Sequence, residues 1–341
     1  MIFYRGAART KNPDYQNQAV LITMKRFAQY LLFLFIFSGT PLYADVALLF
    51  HQPFGVFGFL TPTGHSALYL SRVCAESPVR LRRCQEGELG VVLSRYDKIV
   101  GYDWVAVPVI PFLYAVDHPE QVPDFVDQTS VKTLRDSWLH DNLRDIVYEK
   151  PDDSDNKNGA ARHGHWKQLV GAAYDRKIYG FVLETEESAD DAFIEMMNSK
   201  TNKRRFNFFF RNCADFAKDI INFYYPKSIR RNFIADIGIT TPKHVTKSFV
   251  KISQRNPNLR FSAFVLPQVE GNLARSKPAR GVVESFILSK QYIVPMVVFA
   301  PWVAVGGGSA FVAGGRFNPE KFDSDTLDPF MIVEYLSTLS D

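Results

Sequence analysis

Apolar positions along this chain fall into short runs separated by polar gaps, with no single long period. Asp45–Phe50 (DVALLF), Ser66–Leu70 (SALYL), Leu89–Tyr96 (LGVVLSRY) and Lys177–Thr185 (KIYGFVLET) are rich in β-branched, aliphatic and aromatic residues, and each predicts a strand. Within residues 128–148, Leu134, Trp138, Leu139 and Leu143 recur at helical spacing. Ser188 followed by Asp191 resembles a capping box, which opens a helix from Ala189 to Asn198. Asn212–Tyr224 (NCADFAKDIINFY) predicts a further helix, stopped before Pro226. Trp104–Ala115 is apolar, but Pro108 and Pro111 prevent one regular helix from running through it. The stretch QPFGVFGFLTPTG, between the first two strands, reads as a loop with apolar bulk. Residues 149–162 (EKPDDSDNKNGAAR) are polar throughout and read as an exposed insertion.

The two ends differ from this body. From Met24 the chain reads MKRFAQYLLFLFIFSGTPLYAD. Lys25 and Arg26 precede an apolar run, Tyr30–Phe37, which Gly39 and Pro41 break ahead of Ala44. Residues 24–44 therefore predict a secretory signal cut after Ala44, with an uncleaved anchor as the alternative. Residues 1–23 precede this better start and read as a mis-called start or an extra tail. The body, 45–260, is expected to form one domain, followed by a C-terminal extension, 261–341. Residues 291–315 of that extension carry no formal charge. That is long enough to span a membrane, but Pro295 and Pro301 interrupt it and the flanking charges oppose the positive-inside rule. It reads as a span or as a buried or surface-lying apolar segment, and either form offers membrane association.

With 46% apolar and 22% charged residues in 341, the chain is neither disordered nor collagen-like. Five basic residues against one acidic residue in the first 44 carry the whole formal charge of +4. The remainder is neutral and lacks the footprint of a nucleic-acid binder. Export to the periplasm or cell envelope permits disulfides. Cys74 and Cys84 are close enough in sequence for a bridge across CAESPVRLRRC. Cys213 is then the odd thiol: a buried inert group, an intermolecular partner or a nucleophile.

The position of Cys213 favours chemistry. From Cys213, the positions at helical spacing are Phe216, Ala217, Ile220, Ile221 and Tyr224, so the sulfur lies on the packing face. Asn212 suits an N-cap. Unpaired N–H groups and the positive end of the helix dipole favour a thiolate there. His65, following Gly64 at a strand mouth, is the candidate to take the thiol proton. The plain alternative is a core cysteine and an unrelated histidine. His163 and His165 lack the partners of a metal site, and Gly306–Gly308 with Gly314–Gly315 lacks the Lys-Ser/Thr of a nucleotide loop, so no metal or cofactor is expected. Lys203–Arg205 and Arg230–Arg231 read as solvated surface able to meet an anionic substrate or headgroup.

Gly64-His65-Ser66 leading into an apolar strand, and Asn212-Cys213 opening a helix far downstream after the aromatic FNFFF, resemble a known group. It is the circularly permuted NlpC-like group of papain-like thiol hydrolases, which includes the lecithin:retinol acyltransferase-like proteins. In that group His precedes Cys. The resemblance covers at most residues 46–225. It implies an α+β, papain-like core whose antiparallel sheet packs on the Cys-bearing helix. It further implies Cys213 as nucleophile and His65 as general base, with a third polar residue on the next strand. A residue at the start of one antiparallel strand faces the end of its neighbour, which points to Ser94, with His51 as another orienter. This chain departs from the group in lacking a His, Asn or Gln near Ser94. The implied function is an exported cell-envelope thiol hydrolase or acyltransferase that cleaves an amide or ester of an envelope peptide or acyl lipid through an acyl-cysteine. The alternative is a non-catalytic, membrane-associated binding or scaffold protein on the same fold.

Overall fold

The computed structural model describes residues 43–54, 63–96, 99, 101–147, 169–204, 206–312, 316–322 and 324–340. Residues 1–42, the polar insertion 149–162, His163, His165 and Arg205 lie outside the described residues. The strands are β1 (Tyr43–His51), β2 (His65–Leu70), β3 (Val73–Ser77), β4 (Arg80–Arg83), β5 (Val91–Ser94), β6 (Val105–Pro108), β7 (Ile178–Glu186), β8 (Phe261–Leu266) and β9 (Asp325–Thr326). The main helices are α1 (Val109–Tyr114), α2 (Gln128–Asn142), α3 (Glu187–Ser199), α4 (Cys213–Tyr224), α5 (Pro242–Arg255), α6 (Val282–Ile287), α7 (Lys290–Phe299), α8 (Pro301–Ala310) and α9 (Pro329–Ser340).

Seven strands form one sheet in the order β6-β5-β2-β1-β7-β8-β9, and β3 and β4 form a separate hairpin. The pairings in the large sheet are antiparallel from β6 to β8, while β8 and β9 run parallel. The sheet is therefore mixed, not wholly antiparallel, because the short β9 joins its edge. Both faces are covered, which is why the central strands read as nearly continuous apolar runs. On β1, Ala47 and Leu49 face a core built with Phe112 of α1, Trp138 and Leu139 of α2, and Ile332 and Leu336 of α9. Val46, Leu48 and Phe50 face the opposite core, with Phe193 of α3, Ala217 and Ile221 of α4, and Phe249 of α5.

The boundaries shift in ways the local chemistry explains. Tyr43 and Ala44 already belong to β1, and Ala44 pairs with Thr185 and is fully buried. The expected signal cut thus falls inside the strand. Pro108 ends β6 and stands as the N-cap of α1, while Pro111 sits in the first turn, where a missing N–H costs no bond. The prolines therefore separate a strand from a helix. α3 begins at Glu187 with Glu186 as N-cap and no side-chain cap, so Ser188 does not play the capping part expected of it. Residue 260 marks no boundary. β8 pairs with β7 from Ile178↔Leu266 to Leu183↔Phe261, and α9 completes a core. The described residues from Tyr43 onward form one compact unit.

Cys74 and Cys84 are joined in a disulfide that closes the β3–β4 hairpin. In the apolar segment 291–315, α7 and α8 are separated at Ala300, and no helix among the described residues is long and apolar enough to cross a membrane.

Asp45 carries a test of the packing. Its carboxylate is buried and meets Arg260 Nη2 at 3.0 Å, yet burial outweighs that pairing and raises its pKa to about 6. A raised acid in the folded state stabilises below its unfolded pKa and loses that contribution as pH rises. Asp45→Asn removes this loss. Relative to wild type, the variant should gain thermal stability between about pH 4 and pH 6. His51 and His65, both held below the ordinary range, shift raw stability the other way as pH rises, so the difference between the two proteins is the quantity to measure. A difference that stays flat with pH would show that Asp45 is not desolvated.

Candidate active site

The first strand pair builds one half of the site. β1 and β2 pair antiparallel with His51 opposite His65, and their rings meet edge to face at 5.4 Å between centroids. Gly64 makes the entry to β2 possible. Its φ is +75°, and a Cβ there would lie 2.2 Å from the His51 carbonyl oxygen. Only glycine combines that conformation with so close an approach. β5 lies on the other side of β2 and ends at Ser94. A hydrogen bond of 2.9 Å joins His65 Nε2 and Ser94 Oγ, both buried. Ser94 is therefore in contact with the imidazole.

Two residues that the sequence reading did not single out complete this half. The Tyr96 ring stacks on His65 at 4.3 Å, with 9° between planes, and its hydroxyl is hydrogen-bonded to Ser94. Burial pushes that phenol up to about 12, so it stays protonated. Arg176, just before β7, is also buried, with its guanidinium 4.3 Å over the Phe54 ring. Burial first, and the Arg176 charge second, hold both His51 and His65 well below the ordinary histidine range. Both imidazoles are neutral at physiological pH. Neither nitrogen of His51 has a hydrogen-bond partner among the described residues, although the residue is wholly buried. Such orphaned groups are uncommon in folded proteins.

The other half is the start of α4. Asn212 is its N-cap: Oδ1 accepts from the Asp215 N–H at 2.9 Å, and Nδ2 donates to the carbonyls of Phe208 and Thr240, each at 2.9 Å. The amide is fully engaged, so Asn212 positions the helix start and takes no part in bond making. The capping contributes about 1 kcal/mol. Asp215 is held in turn by Thr240 Oγ1 at 2.6 Å and Arg231 Nη2 at 2.7 Å. Ala217, Ile220 and Ile221 press the helix onto the sheet face of Leu48 and Leu68. Each buried isoleucine contributes roughly 1.5–3 kcal/mol.

Cys213 is the first residue of α4 and is not in a disulfide. Its sulfur lies against the backbone N–H of Ser66, the residue after His65, and that of Ala214. Burial pushes the thiol up, and these N–H groups together with Arg176 and Arg95 offset that only in part. The helix terminus was expected to favour a thiolate, but desolvation dominates and the resting group is the thiol. Among the described residues no hydrogen bond joins Cys213 to the His65 ring. Strand alternation explains this: Ala67 and Tyr69, in step with His65, face one core, while Leu68 and Leu70 face the core that contains α4. The sulfur lies against the N–H of Ser66, one residue along β2 from His65.

Cys74, Cys84 and Glu88 are the one cluster of potential metal-ligating atoms among the described residues. The two sulfurs are bonded to each other and Glu88 pairs with Arg82, so this cluster is structural.

Fold and site define an α+β protein with a mixed seven-stranded sheet and a cysteine at a helix start beside a histidine strand. No protein-family model matches the chain, nor does any curated protein or solved structure.

Proposed function

We propose that this is an exported, cell-envelope thiol hydrolase or acyltransferase that works through an acyl-cysteine on Cys213. The observation that carries the reading is the His65–Ser94 hydrogen bond at the strand end where the Cys213 sulfur also lies. With Ser94 Oγ accepting from Nε2–H, the neutral imidazole presents its lone pair on Nδ1. Cys213 attacks the carbonyl carbon of an amide or ester while its proton passes to Nδ1. Backbone N–H groups at the start of α4 hold the oxyanion. The intermediate collapses, the C–N or C–O bond breaks, and the imidazolium gives its proton to the leaving group. Water or an acyl acceptor then cleaves the thioester with His65 again as base. Envelope peptides and acyl lipids are the two substrate classes. The aromatic run Phe208–Phe210, next to Asn212, supports the acyl lipid.

The test is hydrolysis of a p-nitrophenyl acyl ester against pH. His65 is depressed, so its base form persists into acid, and the acid limb of kcat/KM should lie well below 6.5. Ser94→Ala should lower kcat roughly tenfold with little change in KM, because it frees the imidazole to turn. An acid limb at an ordinary histidine pKa, or an unaltered kcat in Ser94→Ala, would contradict the assignment.

A second reading, a non-catalytic binding module, is favoured by one observation. The thiol is protonated and makes no hydrogen bond with His65 among the described residues. Under it Cys213 and His65 are core groups, and esters are hydrolysed no faster than by the denatured chain.

A further inference from the structure

The thiol site leaves unexplained a surface beside it that combines bare hydrocarbon with a cluster of basic side chains, of which Arg231 is paired with Asp215. A cleft of about 690 Å³ is lined by Lys227, Arg230, Arg231, Lys251 and Arg255, with no carboxylate among its lining residues. Phe233 and Ile234 line the same cleft, and Phe233 is 75% exposed. Arg231 ties this segment to the aromatic run ahead of Cys213, donating to the carbonyls of Phe209 at 3.3 Å, Phe210 at 3.1 Å and Gly238 at 2.8 Å. Phe208, Phe209, Phe210, Phe233, Ile234 and Ile237 are all exposed. One apolar patch thus runs from the cleft to the start of α4.

A second apolar element adjoins the cleft. The α6 backbone hangs on the same loop, with Val283 N–H donating to Ala235 O at 3.2 Å and Val282 N–H to Asp236 Oδ1 at 3.1 Å. Phe311, directly after α8, shares a small pocket with Ala235 and His244, and His244 also lines the basic cleft. α7 and α8 present Val298, Phe299, Trp302 and Val305 outward, with Phe299 85% and Trp302 86% exposed, and no residue of α8 is buried. Each helix has 10 residues, about 15 Å long, against a hydrocarbon core of about 30 Å. Neither helix alone is long enough to cross it.

We propose that this face docks on an anionic phospholipid bilayer. The cleft takes lipid phosphates, while Phe233, Ile234 and the α7–α8 pair enter the acyl boundary. Charge complementarity selects this occupant. Protein interface cores are depleted of charge, whereas a phospholipid surface offers many phosphates directly beside hydrocarbon. Docking is independent of thiol chemistry, so Cys213→Ala should bind as wild type does.

The test uses the full chain with vesicles of phosphatidylcholine, with and without phosphatidylglycerol. Wild type should sediment with the anionic vesicles, less so as salt is raised, and the Trp302 emission should shift to the blue. Trp302→Phe should lose the shift while binding stays within a few-fold. The triple variant Arg230→Glu, Lys251→Glu, Arg255→Glu changes exposed side chains and should weaken binding by about a hundredfold or more. Phe233→Ser with Ile234→Ser should weaken it about tenfold or more. Any contribution from the apolar run 30–37 is common to all variants and cancels in the comparison. Equal binding by wild type and the triple variant, or no change in Trp302 emission, would overturn the proposal. A lipid-free dimer abolished by Phe233→Ser, with no vesicle binding, would overturn it in favour of a second copy.

Discussion

Cys213→Ala should abolish ester hydrolysis, lowering kcat by at least about 10⁴-fold, or ~5.5 kcal/mol of barrier. The size follows from the proposed step, in which the sulfur is the atom that bonds to the carbonyl carbon and no neighbouring group replaces it. Cys74 and Cys84 are spent in the β3–β4 hairpin. The fold should survive the change. Asn212 still caps α4, and Ala217, Ile220 and Ile221 still bury its packing face. Removing one sulfur atom leaves at most a small cavity and costs about 1.5 kcal/mol or less. Thermal unfolding should therefore move little while turnover vanishes. Turnover that persists in a folded Cys213→Ala would remove the sulfur from the mechanism.

The largest structural effect should come from Gly64→Ala. The side chain must adopt a φ of +75°, which costs roughly 1–2 kcal/mol. Its Cβ would also meet the His51 carbonyl oxygen at 2.2 Å, a backbone atom that cannot swing aside. Strand β1 or the entry to β2 must shift, for a total of about 3 kcal/mol or more. The shift also displaces His65 from Ser94, so activity should fall with stability. Gly101→Ala is the control: its φ is +83°, but among the described residues nothing lies within 4 Å of the added carbon. It should show the conformational cost alone and keep full activity. Equal destabilisation by the two changes would mean that the contact with His51 is not limiting.

These residues also show what a sequence reveals and what only the fold does. β1, β2, β7 and α4 were legible because apolar runs and a clean i, i+3, i+4 stripe mark buried elements. His65, Cys213 and Asn212 were legible because strand mouths and helix starts are local features. Ser94 was singled out because the resemblance implies a third polar residue on the next strand and antiparallel pairing places it there; the structure brings its hydroxyl to His65. α5 is absent from the predicted elements, although Val245, Phe249 and Ile252 mark its buried face. β8 was missed as a member of the central sheet because its partner, β7, lies far away in sequence. Tyr96 and Arg176 carry no local signal; their nearness to His65 depends on how β5 and β7 are placed around β1 and β2. The protonation of Cys213 was misjudged for a similar reason. A helix start is visible in the chain, but the burial that outweighs it comes from the sheet beneath.

The central claim is that Cys213 becomes acylated with His65 as its base. The most direct measurement is mass spectrometry of the intact folded chain after brief exposure to a p-nitrophenyl acyl ester, with peptide mapping of the adduct. One acyl group on Cys213 in wild type, and none in folded His65→Ala, is the predicted result. An unlabelled Cys213 in folded wild type, while the denatured chain is labelled, would contradict the account, as would equal labelling with His65 absent.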